Sequence, residues 1–192
     1  MRIIAGTARG RKLSSPAKAL GQLIRPTADR AREAIFSVIG TEIKEGQVLD
    51  LFAGTGAFGL EALSRGAAGA VFVDQHRAAV ELVYGNIQKC GFSDRSVLLN
   101  RDLSKSLFFL KQYAPPGGFT LVFIDPPYRT NLWQGVIEQI SGLDILNDNV
   151  LIIVEDDSSA ALPDSPGKFD LSDKRRYGDT GFWLYRRGGN NP

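Results

Sequence analysis

The sequence predicts an α/β fold: a doubly wound sheet of seven mostly parallel strands, closed by an antiparallel last strand. Three observations predict it. From residue 47 onward, short apolar runs alternate with stretches of helical periodicity, the pattern of a parallel sheet covered on both faces. A glycine-rich turn, Asp50 to Gly59, joins the first run to the first of these helices. The last two runs meet at Gly178-Asp179-Thr180-Gly181, a tight turn of the kind that joins antiparallel neighbours.

The elements follow in order. Residues 2–13 alternate loosely between apolar and polar around Gly6 and Gly10, which reads as a short basic hairpin. Ser14 to Leu23 reads as a linker. Arg25-Pro26-Thr27-Ala28-Asp29 then opens a helix that ends near Ile39, with Thr27 as N-cap and Gly40 as stop. Its buried stripe is expected to be Ala31, Ile35, Phe36 and Ile39, with Arg30, Arg32 and Glu33 nearer solvent. Strands are expected at about 47–52, 70–74, 95–100, 119–124, 149–155, 168–176 and 181–186. Helices are expected at about 57–65, 77–90, 103–112 and 131–142. Leu49, Leu51, Val71, Val73, Val122 and Ile124 should lie in the sheet core. The chain divides into a basic extension, 1–40, and a larger α/β domain, 41–192.

Composition narrows the function classes. Of 192 residues, 43% are apolar and 23% charged, which is ordinary globular material. No apolar run is long enough to span a bilayer, and the start, Met1-Arg2-Ile3-Ile4-Ala5-Gly6, lacks a signal-peptide core. A soluble, reducing, cytoplasmic setting is the expectation, with no membrane partner. One cysteine (Cys90) and one histidine (His76) exclude an internal disulfide and a Cys/His metal site, so no metal is expected. Cys90 reads as packing and His76 as an exposed first-turn residue. The net charge of +2 is unevenly spread: residues 1–40 hold eight basic and two acidic side chains. Lys174-Arg175-Arg176 and Arg186-Arg187 form a second basic cluster. Two such patches suggest a polyanion on one face.

The glycine turn carries chemistry. Gly54, Gly56 and Gly59 satisfy G-x-G-x-x-G between a strand and a helix, as in Rossmann-like nucleotide sites, with Asp74 placed 20 residues after Gly54 to grip ribose hydroxyls. Those features suit a dinucleotide or an adenosyl cofactor. Asp50, read as facing the ligand, opposes a pyrophosphate: two like charges about 4 Å apart repel by roughly 4 kcal/mol at an effective dielectric of 20. A ligand bearing an ammonium and a sulfonium is attracted instead, and S-adenosylmethionine carries both. Phe52, Ala53, Gly54, Thr55 and Gly56 should line its site. Asp102 is placed to accept from an adenine amino group, with Gln75 and Leu103 flanking the ring; an N-cap of the next helix is the other reading of Asp102.

Asp125-Pro126-Pro127-Tyr128 directly follows the apolar run Phe119 to Ile124. The two prolines fix their own φ and push the residue before each toward extended geometry. Asp125 and the Pro126 carbonyl become stiffly held hydrogen-bond acceptors, and Tyr128 offers a face for stacking a base. That arrangement suits methyl transfer to an exocyclic base nitrogen; a plain turn after a strand is the other reading of the same residues.

With these residues assembled, the chain resembles the class I S-adenosylmethionine-dependent methyltransferases, specifically the bacterial 16S ribosomal RNA guanine-N2 methyltransferase family. The likeness runs through Arg2-Ile3-Ile4-Ala5-Gly6, Gly10-Arg11-Lys12-Leu13, Arg25-Pro26-Thr27, Leu49 to Gly56, Gly59 to Ala67, Phe123 to Tyr128 and Tyr177 to Thr180. It implies a 16S rRNA substrate, within a partly or fully assembled 30S subunit, and a monomeric enzyme. It also implies catalytic roles for Asp125, Pro126, Pro127 and Tyr128. RNA contacts are expected from the basic extension at Arg9, Arg11, Lys12, Arg25, Thr27 and Arg30. The family usually carries an acid or Asn where this chain has His76. An adenine-N6 DNA methyltransferase is the alternative that also fits Asp-Pro-Pro-Tyr.

Overall fold

The apolar runs assemble, in the computed structural model, into one seven-stranded sheet in the order β3-β2-β1-β4-β5-β7-β6. Residues 1–15, 26–127 and 130–189 are described, with the backbone alone for 26–28. The strands are β1 (Gln47–Leu51), β2 (Gly69–Asp74), β3 (Ser96–Asn100), β4 (Phe119–Ile124), β5 (Leu146–Asp157), β6 (Phe169–Tyr177) and β7 (Thr180–Arg187). β1 to β5 pair in parallel, and β7 alone runs the other way, antiparallel to both β5 and β6. β6 therefore points in the same direction as β5.

The central strands are apolar on both faces because helices cover both. Helices α1 (Pro26–Ile39), α2 (Ala57–Ser64) and α3 (Arg77–Cys90) share a core with Val48, Phe72, Leu121, Phe123 and Ile153. Helix α4 (Leu132–Ser141) covers the other face, over Leu49, Leu51, Val71, Val73, Val122 and Ile124. The expected core residues are all buried, as are Ala31, Ile35, Phe36 and Ile39 of α1.

Three expectations need correction. Pro26 is the first residue of α1, where its missing N–H is no loss, so Thr27 falls inside the first turn and is not the cap. Residues 103–112 form no α-helix; a turn and a short 3-10 helix at Phe108–Tyr113 replace it. Leu103, Leu107 and Leu110 still bury, as the helical pattern suggested, but neighbouring polar side chains take the amides a helix would use. Asp102 Oδ1 accepts from Ser104 N, Ser106 Oγ from Phe108 N, and Gln139 Oε1 from Leu107 N. Arg32 is only 7% exposed and does not face solvent. Its guanidinium donates to the Arg2 carbonyl (2.7 Å) and to Asp29 (3.0 Å), and lies 4.0 Å from buried Glu61.

The basic N-terminal segment reduces to a single antiparallel bridge, Arg2 to Lys12, flanked by Ile3 N to Arg11 O and Gly10 N to Ile3 O. It docks along α2. Glu61 accepts from Ile4 N (2.7 Å) and Ala5 N (3.0 Å), and Ser64 carbonyl and hydroxyl accept from Thr7 N and Ala8 N. At Gly6 a Cβ would sit 1.7 Å from the Ser64 carbonyl oxygen, so backbone meets backbone there and only glycine fits. Ile3, Ala8 and Leu13 join the domain core.

Candidate active site

Strand order reverses between β1 and β4. In an open parallel sheet, the crevice outside the carboxyl ends at such a reversal is the natural ligand site. One wall here is the glycine loop after β1; the other is Asp125-Pro126-Pro127 after β4. Asp125 N donates to the Leu51 carbonyl at 3.3 Å and ties the two walls together.

The glycine wall is built from satisfied groups. Phe52 holds φ at 63°, an uncommon value for a bulky residue and a mark of a constrained site. Ala53 N reaches back to Val73 O (3.0 Å), and Gly56, in the left-handed region, opens α2. Asp74 is buried and accepts two loop amides, Gly54 N on Oδ2 (2.9 Å) and His76 N on Oδ1 (2.8 Å). The Thr55 carbonyl accepts from Asn86 Nδ2 (2.9 Å), and Asn86 also exchanges hydrogen bonds with Ser14. Asn86 thus fastens the N-terminal segment to the loop, a role that its place on α3 did not signal.

Asp50 departs from the expectation that it faces the ligand. It is 1% exposed and sits beneath the loop, accepting Gly59 N at 2.9 Å. A Cβ on Gly59 would lie 2.3 Å from the Phe72 ring and 3.0 Å from Asp50 Oδ2, so the third glycine is needed for close helix–strand packing. Burial raises the Asp50 pKa well above the usual carboxylate range, against the Gly59 amide, with the Asp125 and Asp74 charges adding to the rise.

At the end of β3, Asn100 Nδ2 donates to the Asp74 and Gln75 carbonyls and holds exposed Gln75 at the rim. Asp102 is partly exposed, and its pKa is lowered by the Ser104 hydroxyl and amide it accepts from. It caps a turn, not a helix. Leu103 is packed into the sheet core, so its side chain is not left open to flank a ring.

On the opposite wall Asp125 and Glu155 lack such partners among the described residues, while Asp156 accepts Asp157 N at 2.7 Å. Asp125 is partly exposed, and no described residue hydrogen-bonds its side chain. The β4–β5 ladder ends at Ile124 opposite Val154, so Glu155 is the next residue along β5, beside Asp125, with buried Asp156 following. Strand alternation puts Asp50, Asp125 and Glu155 on the same face of the sheet as Val48, Phe123 and Ile153. Burial, and then the Asp156 charge, push the Asp125 pKa up to about 7. Burial also raises Glu155 well above its usual range, with Asp125 and Asp156 adding and Arg32 opposing.

Below Asp125 stands an aromatic column. Phe58 stacks on Phe123 at 3.7 Å, and Phe36 of α1 meets Phe58 at 4.7 Å. Pro126 is buried and Pro127 exposed, with Thr130 Oγ1 donating to the Pro127 carbonyl at 2.7 Å. No described residue donates to the Pro126 carbonyl. Tyr128 and Arg25 lie outside the described residues, as does the side chain of Thr27.

Arg9, Arg11, Lys12 and Arg30 are all exposed. Arg11 Nη1 donates to the Lys89 carbonyl at the end of α3, so it also closes that helix. The C-terminal basic cluster does not hold together. β7 is antiparallel, and its Arg186 and Arg187 lie opposite Asp170 and Phe169 at the amino end of the sheet, far along the hairpin from Arg175 and Arg176. The sequence reading missed Glu155 and Asp156, although two acids closing a buried apolar strand are themselves a signal.

A family model described as Conserved hypothetical protein 95 matches residues 1–186. The chain belongs to that family. Relatives and structures agree. A ribosomal RNA small subunit methyltransferase D from Escherichia coli (strain K12) is 37% identical over 187 residues, 97% of this chain and 90% of that protein. A putative rRNA methyltransferase from Bacillus subtilis (strain 168) is 33% identical, over 98% of this chain and all of that one (100%). The crystal structure of a putative methylase from Haemophilus influenzae superposes with a TM-score of 0.77 at 31% identity, covering 97% of this chain and 98% of that chain. The seven-stranded α/β fold of this family member is thus the fold of methyltransferases. Among the described residues no helix is long and apolar enough to cross a membrane.

Proposed function

We propose that this chain transfers a methyl group from S-adenosylmethionine to the exocyclic N2 amine of a guanine in 16S rRNA. Its substrate on this reading is a partly or fully assembled small subunit, and it acts as a monomer. The single observation that carries the reading is the pairing of two unlike walls across the switch-point crevice. An ordered, glycine-rich cofactor loop faces a carboxyl that has no hydrogen-bond partner among the described residues and is followed by two prolines.

The residues fit a cationic methyl donor. Asp50, Asp74, Asp125, Glu155 and Asp156 crowd the ends of four neighbouring strands; burial raises the pKa of Asp50, Asp125 and Glu155, and their neighbours' charges add to the rise. A phosphate there meets like charge, whereas a sulfonium and an ammonium relieve it. The selectivity thus comes from the cluster and not from Asp50 alone. The backbone of Phe52 to Gly56 would cradle the donor, and Asp74, with one lone pair per oxygen beyond its amide partners, would take ribose hydroxyls. Gln75 and Asp102 border the adenine side. When bound, S-adenosylmethionine supplies an electrophilic methyl group on a sulfonium.

The chain's own residues do the rest. An exocyclic amine is a weak nucleophile because its lone pair is delocalised into the ring. An Asp125 oxygen and the Pro126 carbonyl accept its two hydrogens, which favours a pyramidal nitrogen with its lone pair aimed along the transfer line. As the new N–C bond forms, positive charge grows on that nitrogen beside both acceptors. One N–H proton then passes to Asp125. A carboxyl raised to about 7 is better matched to that task at neutral pH than an ordinary aspartate. Tyr128, in this scheme, stacks on the extruded base.

Mapping base methylation by mass spectrometry in cells lacking this protein tests the proposal. A single guanine of 16S rRNA should lose its N2-methyl group and regain it on complementation. An unchanged rRNA modification pattern would overturn the reading, and tritium transfer to DNA in place of small-subunit particles would favour the adenine-N6 alternative.

A further inference from the structure

The crevice that attracts a cationic donor repels a polynucleotide. Asp125 and Glu155 stand at the crevice with Asp50, Asp74 and Asp156 buried behind them, so the flanking phosphates need cations just outside that acidic cluster. The basic tip of the N-terminal segment is poorly placed for this. Arg9 sits in the turn beside Ala8 and Gly10, next to Ser64 at the far end of α2, and Arg11 is tied to the end of α3. Helix α2 begins at the glycine loop and runs eight residues away from it, about 12 Å at 1.5 Å per residue.

The end of β6 is better placed. Because β7 is inserted antiparallel between them, β6 runs in the direction of β5 and finishes on the crevice side of the sheet. The ladder fixes this residue by residue. Arg175 pairs with Phe182, which pairs with Glu155; Arg176 pairs with Gly181, which pairs with Asp156. Arg175 is thus level with the residue beside Asp125, three strand spacings away, or about 14 Å at about 4.8 Å per strand.

β6 is also an edge strand, and Lys174, Arg175 and Arg176 are exposed on it. The acids of the same tip are Asp173 and Asp179, with Asp157 of β5 opposite Thr180. Their heads are held but not spent. Arg175 makes an exposed ion pair with Asp173 at 2.8 Å, Arg176 Nε donates to the Gly178 carbonyl, and Lys174 lies over the Trp183 ring at 4.6 Å. An exposed pair of that kind is worth little and is readily exchanged for a phosphate. Exposed Arg30, in the first half of the α1 helix that packs against β6 and β7, adds a further cation on the same side.

We infer that the crevice end of β6, through Arg175 and Arg176, is a phosphate-binding rim that holds the RNA strand flanking the target base. This rests on the proposed rRNA substrate. The same hairpin supplies its own control. Arg186 is paired with Glu42 at 2.6 Å, and Arg187 lies 3.9 Å from Asp148, at the opposite end of the sheet.

The experiment compares Arg175→Ala/Arg176→Ala with Arg186→Ala/Arg187→Ala, which change net charge equally. Methyl transfer to small-subunit particles from cells lacking the protein gives KM and kcat, and 16S rRNA binding gives the salt slope. The first pair should raise KM about tenfold or more and leave kcat within about twofold. Two lost single-strand phosphate contacts should flatten the slope by about 1.4. Affinity for S-adenosylmethionine should not change. The second pair should behave as wild type, and Arg175→Lys/Arg176→Lys should recover most of the loss. Should the alanine pair misfold, Arg175→Gln/Arg176→Gln keeps the side-chain stems and carries the same expectation. Equal losses from both ends of the hairpin, or no loss from the crevice end while wild type is active, would overturn the inference alone. A wild-type protein that transfers no methyl group to the particles would remove the substrate reading itself, and this rim with it.

Discussion

The two walls of the crevice handle their carboxyl groups in opposite ways. On the β1–β2 side each is spent on backbone amides: Asp50 holds Gly59 N, and Asp74 holds Gly54 N and His76 N. On the β4–β5 side Asp125 and Glu155 have no such partner among the described residues, and burial raises both. A buried carboxyl that accepts amides is a structural brace; one left without donors keeps its proton-accepting power in reserve. On the proposed mechanism the first wall shapes the cofactor loop and the second handles a proton. Removing each carboxyl in turn should therefore produce different failures.

The largest effect is expected at Asp125. Asp125→Ala should lower kcat by at least about 100-fold, the lower range for a lost general base. Affinity for S-adenosylmethionine, measured by calorimetry, should stay within a few fold. Asp125→Asn should follow it, since the amide keeps an acceptor but cannot take the proton. Near-normal turnover by either variant would place the chemistry elsewhere.

Asp74→Ala should fail in the other manner. Two amides of the loop lose their acceptor, each worth about 1–3 kcal/mol where water cannot replace it. Cofactor affinity should drop about tenfold or more and the melting temperature should fall. Turnover at saturating cofactor should recover much of its wild-type value. If kcat fell as far as in Asp125→Ala with affinity intact, the division between the walls would be wrong.

Next in size comes the pH dependence of cofactor binding. With Asp125 raised to about 7, the free protein holds a proton there that the unfolded chain, near 3.8, has already lost. Asp125 therefore adds stability below about pH 4 that is lost as pH rises through about 7, by at most about 1.4 kcal/mol per unit. A cationic ligand favours the ionised form, so its affinity should rise with pH across the same window, by a few fold in total, and binding should release a fraction of a proton. Calorimetry in two buffers of different ionisation enthalpy reads that proton directly. Asp125→Asn should flatten both dependences.

Much of this was legible in the sequence, and most of the exceptions share a cause. The strands, the glycine loop and Asp125-Pro126-Pro127 are local patterns, and every predicted strand formed within a few residues. Most of the failures depended on contacts distant in the chain, although Thr27 and part of the 103–112 segment failed through near neighbours. Residues 103–112 show helical spacing, but Asp102, Ser106 and the remote Gln139 bind the amides of Ser104, Phe108 and Leu107. Arg32 reads as a surface residue until Glu61 and the Arg2 carbonyl surround it. Asp50 follows the strand rule for pointing, yet the approach of α2 closes it off from the ligand. Glu155 and Asp156 gain their meaning only from the β4–β5 register.

The smallest effect tests which neighbour lifts Asp125. Asp156, not Glu155, is the charge that opposes its ionisation, whereas Glu155 is itself lifted by Asp125. Burial is the first cause of the rise at both groups, and the neighbouring charge adds to it. Asp156→Asn keeps an acceptor for the Asp157 amide, now at 2.7 Å, while removing the negative charge. Asp125 then ionises more easily, and the acid limb of kcat/KM should move to lower pH by less than about one unit, under 1.4 kcal/mol. Glu155→Gln should leave that limb in place, because the charge that raises Asp125 is that of Asp156. A shift from Glu155→Gln with none from Asp156→Asn would reverse the assignment and make Glu155 the ionised neighbour. Shifts from neither would mean that the acid limb reports a group on the other wall.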